Sequence, residues 1–89
     1  ADARGIEVSP HGPFSPVTVV TGLQAIGAHP KCPILEYAWR EVPWRERLVI
    51  PQEKVVDSRM RLPEGPGLGV RLNMDVLEEQ RLGERVTIE

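Results

Sequence analysis

Pro10 and Pro13 constrain this chain most, because they cut off the stretch Gly5-Ile6-Glu7-Val8-Ser9-Pro10-His11-Gly12-Pro13 as it begins to read as a strand. Ile6 and Val8 alternate with Glu7, the period of a strand. Neither proline donates to a ladder and each holds φ near roughly −65°, so pairing cannot run through them. His11 is thereby set on a stiff loop just past a strand's C-terminal end. In parallel α/β architectures that rim is where binding and catalytic groups are built. From these residues alone, a loop histidine that only satisfies local hydrogen bonds is the competing reading.

Interruptions of this kind continue along the chain. Nine Pro and eight Gly break up 89 residues, which keeps regular elements short and any core thin. The 11 basic and 13 acidic residues are well mixed, for a formal charge of −2, and no basic stripe carries interleaved aromatics. Nucleic acid is therefore not an expected partner. No apolar run approaches the roughly 20 residues that span a membrane, and no signal-peptide pattern is present. The single cysteine, Cys32, cannot close an internal disulfide. That fits a reducing compartment, and a cytoplasmic protein is expected.

The first five residues, Ala1-Asp2-Ala3-Arg4-Gly5, read as the last turn of a helix closed by its glycine. A single turn has no stability of its own, so the chain is expected to begin within a larger fold. After the proline loop, Ser15 and Pro16 signal the cap and first residue of a helix over 16–28. Val17, Val20, Leu23 (or Gln24) and Gly27 fall at helical spacing, flanked by Val19 and Ile26. The helix is expected to stop before Pro30, which biases His29 away from helical dihedrals. Ile34-Leu35-Glu36-Tyr37-Ala38 then reads as a second strand. Strand, helix and strand in this order predict a right-handed βαβ unit with parallel strands. His11 and Glu36 would share its C-terminal rim, within reach of one small ligand if the strands are neighbours about 4.8 Å apart.

Beyond Arg40 the pattern changes. The charged, aromatic run over 39–47 reads as a surface loop whose Trp39 and Trp44 either close over a cleft or pack beneath it. Leu48-Val49-Ile50 is a short extended piece, and residues 55–62 read as a small hairpin around Asp57-Ser58. Gly65-Pro66-Gly67-Leu68-Gly69 lacks the following Gly-Lys-Ser/Thr of a phosphate loop and is expected to be a structural turn. Asn73 caps a last short helix over 74–81, with Gly83 as its stop. His29 and Cys32 have no second pair at zinc-finger spacing, so no metal site is expected there. Ser9 and Ser15 read as turn and cap residues rather than nucleophiles. His11 and Glu36 are left as the chemically capable pair.

Ser9-Pro10-His11-Gly12-Pro13-Phe14-Ser15-Pro16, then Ile34-Leu35-Glu36-Tyr37, then the run from Leu62 through Gly69 to Val70, together resemble the C-terminal end of the enolase superfamily. The likeness is to the mandelate racemase/muconate-lactonising group, and within it to acid-sugar dehydratases such as galactonate dehydratase. It covers about residues 1–83. The resemblance implies the C-terminal part of a (β/α)8 barrel. Its seventh strand, a helix, the eighth strand and a loop would lie in 1–47, with 48–89 an extended return segment on an α+β capping domain. It implies Mg2+, with ligands on upstream strands and none in this chain. The reaction implied is removal of the proton α to a carboxylate through an enediolate. His11 would be the proton-transfer residue and Glu36 would hydrogen-bond a substrate carboxylate oxygen; apart from the resemblance, Trp39 in its charged loop is a candidate substrate contact.

The implied partners are the remainder of the barrel and capping domain, a small hydroxy-carboxylate substrate, and further copies in a homo-oligomer. A sugar-acid dehydratase is the leading expectation. A racemase, epimerase or cycloisomerase is the alternative within the superfamily, and a small non-catalytic binding domain the alternative outside it. The 89 residues alone are expected to be inactive.

Overall fold

In a computed structural model, residues 1–29, 31–84 and 86–88 are described. The helix-stopping Pro30 and the final Glu89 lie outside them. The described part is a small α+β arrangement of two helices and two short antiparallel sheets.

Helix α1, Pro16–Gly27, begins where its cap chemistry says it should. The Ser15 hydroxyl accepts from the Thr18 amide at 3.2 Å, and the Thr18 hydroxyl accepts from the Ser15 amide at 3.0 Å. This reciprocal box satisfies two of the amides that a helix start leaves orphaned. The buried stripe is Pro16, Val19, Val20 and Leu23, rotated from the one expected, since Val17 stands exposed. The rotation follows from what α1 packs against. One side meets the 3-10 helix Arg45–Leu48, and another meets the segment that carries Glu36. On that second side a Cβ at Gly22 would lie only 3.1 Å from Leu35 Cδ1, so the missing side chain is what lets the two come close.

Strand β1, Val49–Ile50, pairs with β4, Arg71–Leu72, in the register Val49↔Leu72 and Ile50↔Arg71. Strands β2, Val55–Val56, and β3, Arg59–Met60, form the expected hairpin, with Val55 opposite Met60. Its turn residues Asp57 and Ser58 take φ of 50° and 60°, the double left-handed pattern that suits strand twist. Asn73 caps helix α2, Met74–Gln80, by accepting from the Val76 amide. The helix stops before reaching Gly83: Arg81 is already extended, and acidic Glu78 and Glu79 occupy the last turn, where the dipole favours cations. The N-terminal turn is a 3-10 helix, Asp2–Arg4, closed by Gly5 at φ 68°.

The two parallel strands expected at residues 6–8 and 34–38 do not form. Neither stretch takes up regular secondary structure, and the Val8 amide donates to the Lys31 carbonyl at 3.0 Å, before the second stretch begins. Parallel pairs are weaker per residue than antiparallel ones and occur with both faces covered, cover that one helix does not supply.

Among the described residues the buried apolar side chains are few: Val19, Val20, Leu23, Val49 and Val76, with Pro16 beside them. Each contributes about 1.5–3 kcal/mol when fully buried, whereas Ile6, Phe14, Ile34 and Val56 lie open to solvent. The 89-residue chain studied alone is therefore expected to unfold broadly, without a two-state transition, or to aggregate. A sharp thermal transition in the isolated monomer, with equal calorimetric and van't Hoff enthalpies, would contradict this.

Candidate active site

His11 and Glu36 come together from opposite sides of α1 in sequence. The loop bearing His11 is tied to the start of the helix, because the Thr18 hydroxyl donates to the Gly12 carbonyl at 2.8 Å. The Phe14 ring meets the imidazole edge-on, with centroids 5.2 Å apart. From the far end of the helix the irregular segment 32–38 brings Glu36 back alongside. His11 Nδ1 and Glu36 Oε2 are 2.5 Å apart, a short hydrogen bond, with side chains 68% and 47% exposed. Nδ1 is thus engaged, and Nε2 is the nitrogen left to face a ligand.

Trp39 is 58% exposed, its ring 6.3 Å from that of Tyr37, with the Arg40 guanidinium 5.3 Å from its centroid. Arg40 itself takes a left-handed φ of 54°, which turns the chain away after Trp39. Neither described ring contact of Trp39 reaches His11 or Glu36.

One polar cluster escaped the sequence reading. Arg45, expected on a surface loop, is only 3% exposed, and Glu53 only 4%. Arg45 Nε faces Glu53 Oε2 at 3.4 Å, its Nη1 donates to Glu41 Oε2 at 2.8 Å, and its guanidinium lies 5.5 Å from the Tyr37 ring centroid. Arg45 Nη2 and both Glu53 oxygens are buried without a hydrogen bond. No local pattern marks this pair, since Arg45 sits in an evenly charged run. Burial raises the Tyr37 hydroxyl pKa, helped by the Glu53 carboxylate and opposed by Arg45.

Burial also pushes the Glu53 carboxyl above its ordinary value, against the pull of Arg45. Over that interval the folded state holds a proton that the unfolded chain releases. The stability contributed by this titration is complete below the ordinary carboxylate pKa and is lost as pH rises through the raised one. Wild type should accordingly lose stability relative to Glu53→Gln as pH is raised from about 4 towards 7. Urea midpoints of the complete protein across that range test this, and a wild-type advantage that grows with pH would refute it.

A groove of about 810 Å3 runs beside Val20, Leu23, Val49, Met60 and Leu62, with Glu53 in its wall. Neither His11 nor Glu36 lines it. Among the described residues, no three His, Cys, Asp or Glu side chains gather in a way that could hold a metal ion. None of the described helices is long and apolar enough to cross a membrane.

His11 and Glu36 thus bring an imidazole and a carboxyl into short contact, both partly open to solvent. Residues 1–76 match the family described as enolase C-terminal domain-like, and the chain belongs to it. It is 35% identical over 78 residues to a D-xylonate dehydratase of Haloferax volcanii, covering 88% of this chain and 19% of that protein. Over 83 residues it is 37% identical to an L-rhamnonate dehydratase of Saccharopolyspora erythraea, covering 85% and 20%. A D-galactarolactone cycloisomerase of Agrobacterium fabrum is 29% identical over 90 residues, covering 92% and 24%. The chain spans roughly a fifth of the length of these relatives. No solved structure matches it.

Proposed function

We propose that this chain is the C-terminal portion of a cytoplasmic enzyme that removes the proton α to a carboxylate, and that the whole enzyme dehydrates a sugar acid. The observation that carries the reading is the 2.5 Å contact between His11 Nδ1 and Glu36 Oε2. The family membership and the dehydratase names of two relatives point the same way. Residues 1–47 would close the barrel and 48–89 would lie on a capping domain. Acidic residues elsewhere in the polypeptide would hold Mg2+, and the assembled enzyme would be a homo-oligomer.

In this reading His11 exchanges the proton with substrate, and the aspartate that would pair with its imidazole lies on a strand outside this chain. Glu36 hydrogen-bonds a substrate carboxylate oxygen. The bond strengthens as negative charge builds there, which lowers the barrier rather than merely tightening binding. Trp39 would wall the substrate side. The cycloisomerase relative supports a second reading, proton removal followed by ring isomerisation instead of loss of water.

The test is NMR of the complete enzyme in D2O with Mg2+, across a panel of aldonic and aldaric acids and their lactones. Exchange of the α-proton with formation of a 2-keto-3-deoxy acid is expected. Exchange with lactone isomerisation favours the second reading, and no exchange on any member overturns both.

A further inference from the structure

Phe14 departs from what its position in the chain favours. It stands one residue before the Ser15 cap of α1, where an apolar side chain ordinarily packs against the fourth helical residue, here Val19. Phe14 is instead 70% exposed, while Val19 is buried. Its ring turns to His11, with centroids 5.2 Å apart and the planes at 85°. The contacts that place it are local. The Thr18 hydroxyl donates to the Gly12 carbonyl at 2.8 Å and accepts from the Ser15 amide at 3.0 Å, so the chain on both sides of Phe14 is tied to the first turn of α1. Pro13 restricts the backbone between those ties. The placement is thus made within residues 11–18 and needs no strand pairing.

An open phenyl ring beside a reacting group forms one apolar wall of a binding site. A substrate carbon that yields its proton to His11 must touch the imidazole. The imidazole is small, so a substrate several carbons long extends past one of its edges, and Phe14 closes one of them. A phenyl face packs on C–H groups but offers a hydroxyl no partner, and a hydroxyl turned towards it loses water without compensation.

We propose that Phe14 is a specificity-determining residue: its ring packs on the C–H face of a sugar acid beyond the two reacting carbons and disfavours epimers that turn a hydroxyl there. The inference rests on the proton-transfer reading above and adds to it a choice of substrate configuration.

The experiment uses the complete enzyme with Mg2+ and pentonic and hexonic acids that differ only in configuration at C4 or C5. Exchange of the α-proton in D2O shows which of them react. For wild type, kcat/KM of the favoured and disfavoured epimers should differ by roughly 10–200-fold, the range that one apolar contact supplies. Phe14→Asn, which offers a donor and an acceptor, should raise kcat/KM of the disfavoured epimer at least about fivefold, with KM moving more than kcat. Phe14→Leu keeps the wall apolar and should hold the wild-type ratio within about threefold. Thermal unfolding of each variant is measured alongside. Epimers taken equally by wild type, or a ratio unchanged within about twofold in Phe14→Asn, overturn the assignment and leave the proton-transfer reading standing. A Phe14→Asn enzyme that loses stability and turns over all epimers less well by one factor overturns it too, since the ring is then packing and not a wall. No exchange on any acid by wild type overturns the proton-transfer reading, and this inference with it.

Discussion

His11→Asn is expected to lower turnover of the complete enzyme by roughly 10²–10⁴-fold while leaving it folded. Asparagine keeps polarity and approximate size but has no nitrogen that titrates, so proton transfer is lost and little else changes. The His11 side chain is 68% exposed and lies on a loop secured through Gly12 and Thr18 rather than through the imidazole. Its removal therefore costs no core packing. The α-proton of a carboxylate is too weakly acidic to leave without a base and a stabilised oxyanion acting together. Glu36→Gln retains a donor for the substrate oxygen and should be milder than Glu36→Ala. Deuterium exchange at the α-carbon, measured with thermal unfolding of each variant, checks both expectations. A His11→Asn enzyme that processes every accepted substrate at the wild-type rate removes His11 from the chemistry. It then stands as a loop residue whose bond to Glu36 is local.

Gly69→Ala is expected to be the most damaging single substitution for stability, and Gly67→Ala much less so. Both glycines have positive φ, 65° at Gly67 and 80° at Gly69. Left-handed backbone costs a residue with a Cβ about 1–2 kcal/mol, and Gly67→Ala meets only that, since nothing lies within 4 Å of the new atom. At Gly69 the Cβ would sit 2.6 Å from Pro63 Cβ and 3.0 Å from the Pro63 carbonyl carbon, which is backbone. Forced overlap of this kind adds about 1–3 kcal/mol. The damage would spread, because Gln24 of α1 donates to the carbonyls of Pro63 at 3.0 Å and Leu68 at 2.9 Å, tying the loop to the helix. Urea unfolding of both variants in the complete protein should rank Gly69→Ala below Gly67→Ala, with kcat per folded enzyme near wild type. Unchanged stability with turnover lost would make this loop part of the substrate site instead of a structural turn.

What could be read from residues in order was whatever short-range chemistry decides. Ser15, Pro16 and Thr18 place the start of α1, Asn73 places α2, and Asp57-Ser58 turns the hairpin, because each acts on atoms within four residues of itself. His11 and Glu36 do meet, but the residues in order brought them together only as the ends of neighbouring parallel strands, which do not form. Strand pairing at residues 6–8 and 34–38 was not legible. Alternation shows that a stretch is willing to be extended, whereas a ladder depends on neighbours that local pattern does not supply. The same holds for the rotated face of α1, which turned on Gly22 admitting Leu35. Arg45 and Glu53 show the limit most plainly. By composition both belong in water, and burial of a charge depends on partners gathered from Tyr37, Glu41 and the turn after β1, so only the packed chain decides it.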